Sequence, residues 1–489
     1  MTNLILRERP LYRVEVVSSE HVITLLKMYL SSEYSVIHKL SYGKKRWCYT
    51  TKRYTGIVHN TETCHFYDEL DDNKIVYYRG LHTSIMTFIA GLMIHGIVSS
   101  VDSDVNVYAN IQLTDKWKDI LRTYQLEDIL KILTYKGALA QLPTAYGKTE
   151  LLLAITESFK TDANILIMCP SNEIKTEIKS RAEMYEIAIS DDYDSDCRIW
   201  VINPKGMCST TLYKEGTHDK WLSNVELCIT DECHTMPAAS WLRVLTRMRR
   251  LTHSYGVSAT ISPNIEMPTI DTLTHCDVDV LTIVSYCGPV VVDKTPIDLD
   301  KSLIVKSVEI DLSINDDPED AVKAYKSMTT SPQYFEVMSW AISNHPEYIY
   351  FIPVSTRRAG ELIYEHLTAQ GYPGIMWNAG QILPDHLTSQ LDIKQEFIDK
   401  SPRYLIATSL AFQGINIPEI TGAILSFGRS PRGVLQPLGR AGRTLAGIPM
   451  AINVIDTSNT TMKSQGHSRR RLIRSSYKID KYIRVRELV

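Results

Sequence analysis

Several features are missing from this sequence, and each absence excludes a class of protein. Its nine cysteines include no CxxC pair, and Cys169 and Cys228 sit inside apolar, strand-like runs. That argues against a zinc site and a disulfide framework and predicts a reducing, cytoplasmic setting. No low-complexity run and no repeat at a period of about 20–50 residues is visible, which excludes solenoid architectures. The most apolar window, IMTFIAGLMIHGIV at 85–98, covers 14 residues and is interrupted by His95. A membrane-spanning helix needs about 20, so a buried amphipathic helix is expected there and no membrane partner. The opening MTNLILRERP carries charges where a secretory leader needs an apolar stretch. A strong charge balance is also lacking. The net charge is −3, so nucleic-acid binding would need local positive surface.

What remains is a globular composition, 44% hydrophobic and 22% charged over 489 residues. A length prior gives about three domains. From about residue 125, short apolar runs alternate with helical patterns. The strand candidates are GALAQL (137–142), NILIMC (164–169), RIWVIN (198–203) and ELCIT (226–230). After a gap come YIYFI (348–352), RYLIAT (403–408), AILSF (423–427) and MAINVI (450–455). Apolar runs of this length separated by helices predict parallel sheets covered on both faces, hence two α/β domains. The polar stretches DKTPIDLDKS and SINDDPED (313–320) read as the region linking them.

Three motifs carry chemistry. The first, QLPTAYGKTE at 141–150, lacks the leading glycine of the G-x-x-x-x-G-K-[ST] pattern. It nevertheless joins a strand to a helix predicted over Lys148–Lys160, where backbone N–H groups and the helix dipole favour phosphate. Lys148 supplies charge for the β- and γ-phosphates, Thr149 a hydroxyl for Mg²⁺, and Gly147 close backbone approach. A chance GKT at a turn is the alternative. The second motif, CITDECHT at 228–235, ends an apolar strand in two carboxylates. Asp231 would hold the Mg²⁺ shell and Glu232 would deprotonate the attacking water; a solvated strand end is the plain alternative. The third, VLQPLGRAGRT at 434–444, places Arg440 and Arg443 three apart, on one face if helical. They would serve as arginine fingers, unless this is an ordinary basic surface helix.

LPTAYGKT, DECH, GVSAT (256–260), TSLAFQGINIP (408–418) and QPLGRAGR (436–443) stand in the order seen in superfamily 2 helicases, which the chain resembles over about 120–455. The resemblance implies two tandem RecA-like motor domains with parallel sheets, preceded here by a small α+β N-terminal domain. It implies ATP and Mg²⁺ as cofactors, with Pro143, Thr144, Ala145, Tyr146, Gly147, Gly414 and Asn416 around the nucleotide. Gln125, in LRTYQ, is the candidate for reading adenine through its amide. His234, Ser258 and Thr260 would couple hydrolysis to domain movement, and Gln436 would share that role opposite His234. Pro170 and Ser171, in CPSNEIKTE, together with Thr408, would hold nucleic-acid phosphate.

Ala145 and Tyr146 depart from the usual P-T-G-S-G-K-T loop, so the tyrosine ring must point away from the phosphates. Asn416 replaces a common aspartate and leaves a neutral ribose contact. The expected domains are 1–105 (substrate recognition), 106–292 and 293–455 (the motor pair) and 456–489 (a basic tail). The chain is most similar to phage branch-migration helicases of the UvsW type. That similarity implies a monomer acting on forks, Holliday junctions and D-loops in DNA replication, recombination or repair. It also implies 3′→5′ tracking along a single strand in the host cytoplasm. An RNA helicase, a restriction-type duplex translocase and a scaffold with a decayed ATPase stay open. In SYGKKRWCYTTKRYTG (41–56), Lys44, Lys45, Arg46 and Trp47 read as a basic, aromatic hairpin for fork DNA or as part of a small sheet core. The tail's RRRLIR (469–474) reads as a DNA contact or a solvated helix.

Overall fold

The computed structural model describes residues 2–9, 13–39, 46–48, 53–55, 57–159, 162–191, 197–261, 278–311, 321–378, 381–387, 389–408, 417, 419–441 and 447–486. The chain divides into two compact units, residues 1–141 with 148–293, and residues 142–147 with 294–489.

In the first unit the four predicted apolar runs form a six-stranded parallel sheet together with His253–Ser258 and Val290–Asp293. Its order is Ile199–Ile202, Asn164–Met168, Val225–Asp231, His253–Ser258, Gly137–Gln141, Val290–Asp293. Its central strands are buried along nearly their whole length, as expected for a sheet covered on both faces. Register then sets the site. Gln141 pairs with Ser258, and Asp231 with Val257, so the C-terminal ends of three adjacent strands finish together. Ligands of open α/β sheets bind at such strand ends.

Before this sheet lies a mainly antiparallel five-stranded one, ordered Tyr67–Asp71, Lys74–Tyr78, Arg13–Val17, Asn3–Arg9, Ser100–Ser103. It packs with helix His82–Ile94, the element predicted at 85–98. No break falls at residue 105, because this small sheet and the six-stranded sheet share one hydrophobic core. Gly80 shows how close they come. A Cβ there would lie 2.0 Å from the carbonyl oxygen of Val284 and 2.5 Å from that of Ser285. Tyr78 and Tyr286 join hydroxyls alongside, at 3.0 Å.

The second unit holds an eight-stranded sheet, ordered Gln381–Leu383, Gly374–Asn378, Tyr404–Thr408, Tyr350–Val354, Gly422–Leu425, Met450–Asp456, Ser302–Ile310, Lys478–Val485. Only Gln381–Leu383 runs antiparallel to its neighbour. Two apolar clusters pack this sheet. The segment 456–489, expected as a tail, corrects the sequence reading. Helix Thr460–Ser476 packs against strand Met450–Asp456, and Lys478–Val485 completes the sheet beside Ser302–Ile310. Its charges mark an edge strand, where lysine and arginine discourage pairing with another chain. Among the described residues no helix is long and apolar enough to cross a membrane.

Candidate nucleotide site

The P-loop follows strand Gly137–Gln141 and leads into helix Lys148–Ser158. Two of its residues have left-handed backbone, Gly147 at φ 93° and Ala145 at φ 62°. Left-handed residues turn successive N–H groups inward and build an anion-binding nest. Ala145 occupies a conformation that suits glycine better, because its Cβ crowds the following carbonyl. Tyr146 is fully buried. Its backbone N–H donates to the Pro143 carbonyl at 3.2 Å. Pro143 is buried too, whereas Thr144 and Thr149 are half-buried.

Strand Val225–Asp231 delivers Asp231 and Glu232 to the sheet end. Lys148 Nζ lies 3.4 Å from Glu232 Oε1. The second Glu232 oxygen accepts from Ser258 Oγ at 3.0 Å and lies 3.2 Å from His234 Nδ1. Ser258 has one hydroxyl proton, and it goes to the carboxylate, which only accepts. His234 Nδ1, 2.7 Å from the same Oγ, is therefore the protonated ring nitrogen. Its Nε2 is buried with no hydrogen-bond partner among the described residues, and so is Thr260 Oγ1. The Thr260 backbone N–H donates to Ser258 Oγ at 3.2 Å.

The adjacent carboxylates are driven apart electrostatically. Burial, then the Glu232 charge, pushes Asp231 up to about 7. Burial would raise Glu232 as well, but Lys148, His234 and Ser258 outweigh it and hold Glu232 well below the usual carboxylate range. Glu232 is itself left-handed, at φ 50° and ψ 51°. Such a conformation in a non-glycine residue costs of order 1–3 kcal/mol and clusters at functional sites.

The sequence reading missed Gln141. Its Oε1 accepts from the Ile261 N–H at 2.8 Å, and its Nε2 donates to Asp293 Oδ1 at 2.6 Å. It ties the strand entering the P-loop to the segment after Ser258. A polar residue closing an apolar strand was the available signal. Gln125 is buried, and its Oε1 accepts from the Arg122 backbone N–H at 2.9 Å, which closes the start of helix Thr123–Ile132. Ser171 caps helix Asn172–Met184 by accepting from Ile174 N–H at 3.3 Å; Pro170, half-buried, precedes it.

In the second unit Thr408 ends its strand, and helix Pro431–Ala441 carries Gln436, buried, and Arg440, half-buried in the last turn. Arg443, Gly414, Asn416, Lys44 and Lys45 lie outside the described residues. Arg46 and Trp47 fall in a short strand paired with Arg53–Thr55.

Residues 122–267 match the model of the DEAD/DEAH box helicase family. A point variant of S. cerevisiae Dbp5, solved bound to RNA and ADP BeF3, shares the fold at a TM-score of 0.51. The two are 14% identical, over 77% of this chain and 95% of that one. Both sheets are accordingly RecA-like. UvsW of bacteriophage T4 aligns over 100% of both chains at 14% identity and a TM-score of 0.42. Mycobacterium smegmatis Lhr, bound to ssDNA and AMP-PNP, aligns over 76% of this chain and 51% of that one, at 15% identity and a TM-score of 0.48. No curated protein matches the sequence.

Proposed function

We propose that the chain is an ATP- and Mg²⁺-dependent superfamily 2 helicase or translocase. The observation that carries this reading is the convergence of Lys148, Glu232, Ser258 and His234 at one sheet end. Lys148 engages Glu232 in this structure, and its charge suits nucleotide phosphates. Turning toward them removes the cation that holds Glu232 so acidic. Glu232 becomes a better base as substrate arrives, with Ser258 and His234 keeping it aimed. Asp231 and Thr149 would hold Mg²⁺, largely through water. Asp231 fits that role, because a buried carboxylate penalised as an anion is stabilised by a cation. The metal supplies charge neutralisation of the phosphates. His234 and Thr260 keep buried polar atoms for a partner, which suits coupling to movement. Arg440 and Arg443 keep, in this reading, the arginine-finger role that the motif implies, and Gln436 the coupling role.

The finer reading is branched DNA as substrate, and it rests on the motif forms and the N-terminal module. ATPase activity is measured with forked DNA, four-way junctions, duplex and single-stranded RNA. Strongest stimulation by forks or junctions supports it. Stronger stimulation by RNA replaces it with an RNA helicase, and no ATP turnover with any probe rejects the helicase reading itself.

A further inference from the structure

The helix Thr460–Ser476 has two unlike faces. Its inner face buries Met462, Gln465, Gly466, Arg469, Ile473 and Ser476. Arg469 fixes it in place: Nε donates to Asn453 Oδ1 at 2.8 Å, Nη1 to the Gly428 carbonyl at 3.0 Å and Nη2 to the Val454 carbonyl at 2.6 Å. The outer face carries Lys463, His467, Arg470 and Arg474, at steps of four, three and four, which align on one side of a helix. The neighbouring edge strand Lys478–Val485 adds Arg484, and Arg486 follows it. The Arg474 guanidinium stands 4.8 Å from the Tyr482 ring centre.

A half-buried carboxylate, Glu309, faces this group. It accepts from Arg484 Nε at 2.6 Å and lies 3.8 Å from Arg486. It cannot neutralise the rest. Burial, then Arg470 and Lys463, lowers His467, with Arg484 adding to the effect and Glu309 opposing it, so the crowding is felt at the surface. The stripe from Lys463 to Arg474 is about 16 Å long at 1.5 Å per residue. One strand of duplex presents about five phosphates over that length. Between the cations stand Ser464 and Ser468, which offer hydroxyls. A membrane-binding helix would present apolar side chains there instead.

We propose that this outer face is a nucleic-acid backbone site, in which Lys463, Arg470, Arg474 and Arg484 bind phosphodiester groups outside the helicase motifs. It rests on the helicase reading and adds a second contact on the unit that carries this helix. The test compares the full chain with the K463Q/R470Q/R474Q variant. Binding of a labelled oligonucleotide is titrated against salt, with single-stranded DNA, duplex DNA and single-stranded RNA as separate arms.

Losing three phosphate contacts lowers the duplex salt slope by about 2.7 and weakens binding about tenfold or more near 0.1 M salt. The arm with the largest drop identifies the nucleic acid. An unaltered melting curve checks folding, and R357Q/R358Q on helix Arg357–Ala369 serves as a charge control. Equal loss in that control, or an unchanged slope in the triple variant, overturns the site. If the wild-type chain neither hydrolyses ATP nor binds any probe, the helicase reading fails first. Wild-type activity with an unchanged variant slope rejects this site alone.

Discussion

Ala145 and Glu232 share a backbone conformation that L residues avoid, at φ 62° and 50°, and each lies in one of the two nucleotide motifs. They bear it for different reasons. At Glu232 the strain delivers a side chain, whose oxygens meet Lys148, Ser258 and His234. At Ala145 there is only a methyl group, so the conformation serves the backbone N–H groups of the loop. A left-handed residue at a functional site is therefore no single kind of evidence. One position requires its side chain, the other only its torsions, and substitution separates them.

The largest effect is expected at the cation that both motifs use. Lys148→Ala should lower ATP turnover about 10³-fold, because charge compensation of the phosphates is lost. Turnover within tenfold of wild type would remove the P-loop assignment. Next comes Glu232→Gln, which keeps shape and backbone but cannot take a proton. Turnover should fall about 10²-fold or more, with ATP binding retained in a filter or fluorescence assay. Weak nucleotide binding in this variant would make Glu232 structural. Glu232→Gly then sharpens the contrast, since it relaxes the strain and still removes the base. Activity as low as in Glu232→Gln, without loss of thermal stability, is the expected pair of results.

Ser258→Ala is a smaller intervention on the same carboxylate. It deletes the donor to Glu232 Oε2 and the acceptor of the Thr260 N–H. Hydrogen bonds to charged groups contribute about 1.5–3 kcal/mol, so roughly tenfold slower turnover is expected at little change in KM for ATP. A change confined to KM would place Ser258 in nucleotide binding rather than in aiming the base.

Much of this was legible in the sequence. All eight predicted strands occur, for example 164–169 as Asn164–Met168 and 450–455 as Met450–Asp456, because continuous apolar runs leave a parallel sheet little alternative. Lys478–Val485 was not legible. KIDKYIRV breaks the apolar–polar alternation of a strand at Asp480–Lys481 and Tyr482–Ile483, and its partner Ser302–Ile310 lies about 175 residues back along the chain. The burial of Arg469 was hidden too, since RRRLIR reads as solvated until helix Thr460–Ser476 packs on strand Met450–Asp456. At the site, residue types were readable and torsions were not. The exception is Ala145, where the related loops carry glycine.

Ala145→Gly is the smallest prediction and the one that decides the comparison. An L residue in this region costs about 1–2 kcal/mol through its Cβ, and glycine removes that cost. Glycine also has more freedom to lose on folding, about 0.4–1 kcal/mol. The two terms leave a net change of about 0 to +1.6 kcal/mol in stability, read by denaturant or thermal unfolding of the full chain. ATP turnover should stay within about twofold, because the loop keeps its torsions and no functional group is removed. Destabilisation beyond about 1 kcal/mol would mean that the Ala145 methyl is a packing contact. A large loss of turnover at unchanged stability would mean that the loop depends on the stiffness alanine provides. Either outcome would place Ala145 beside Glu232 as a residue whose side chain matters.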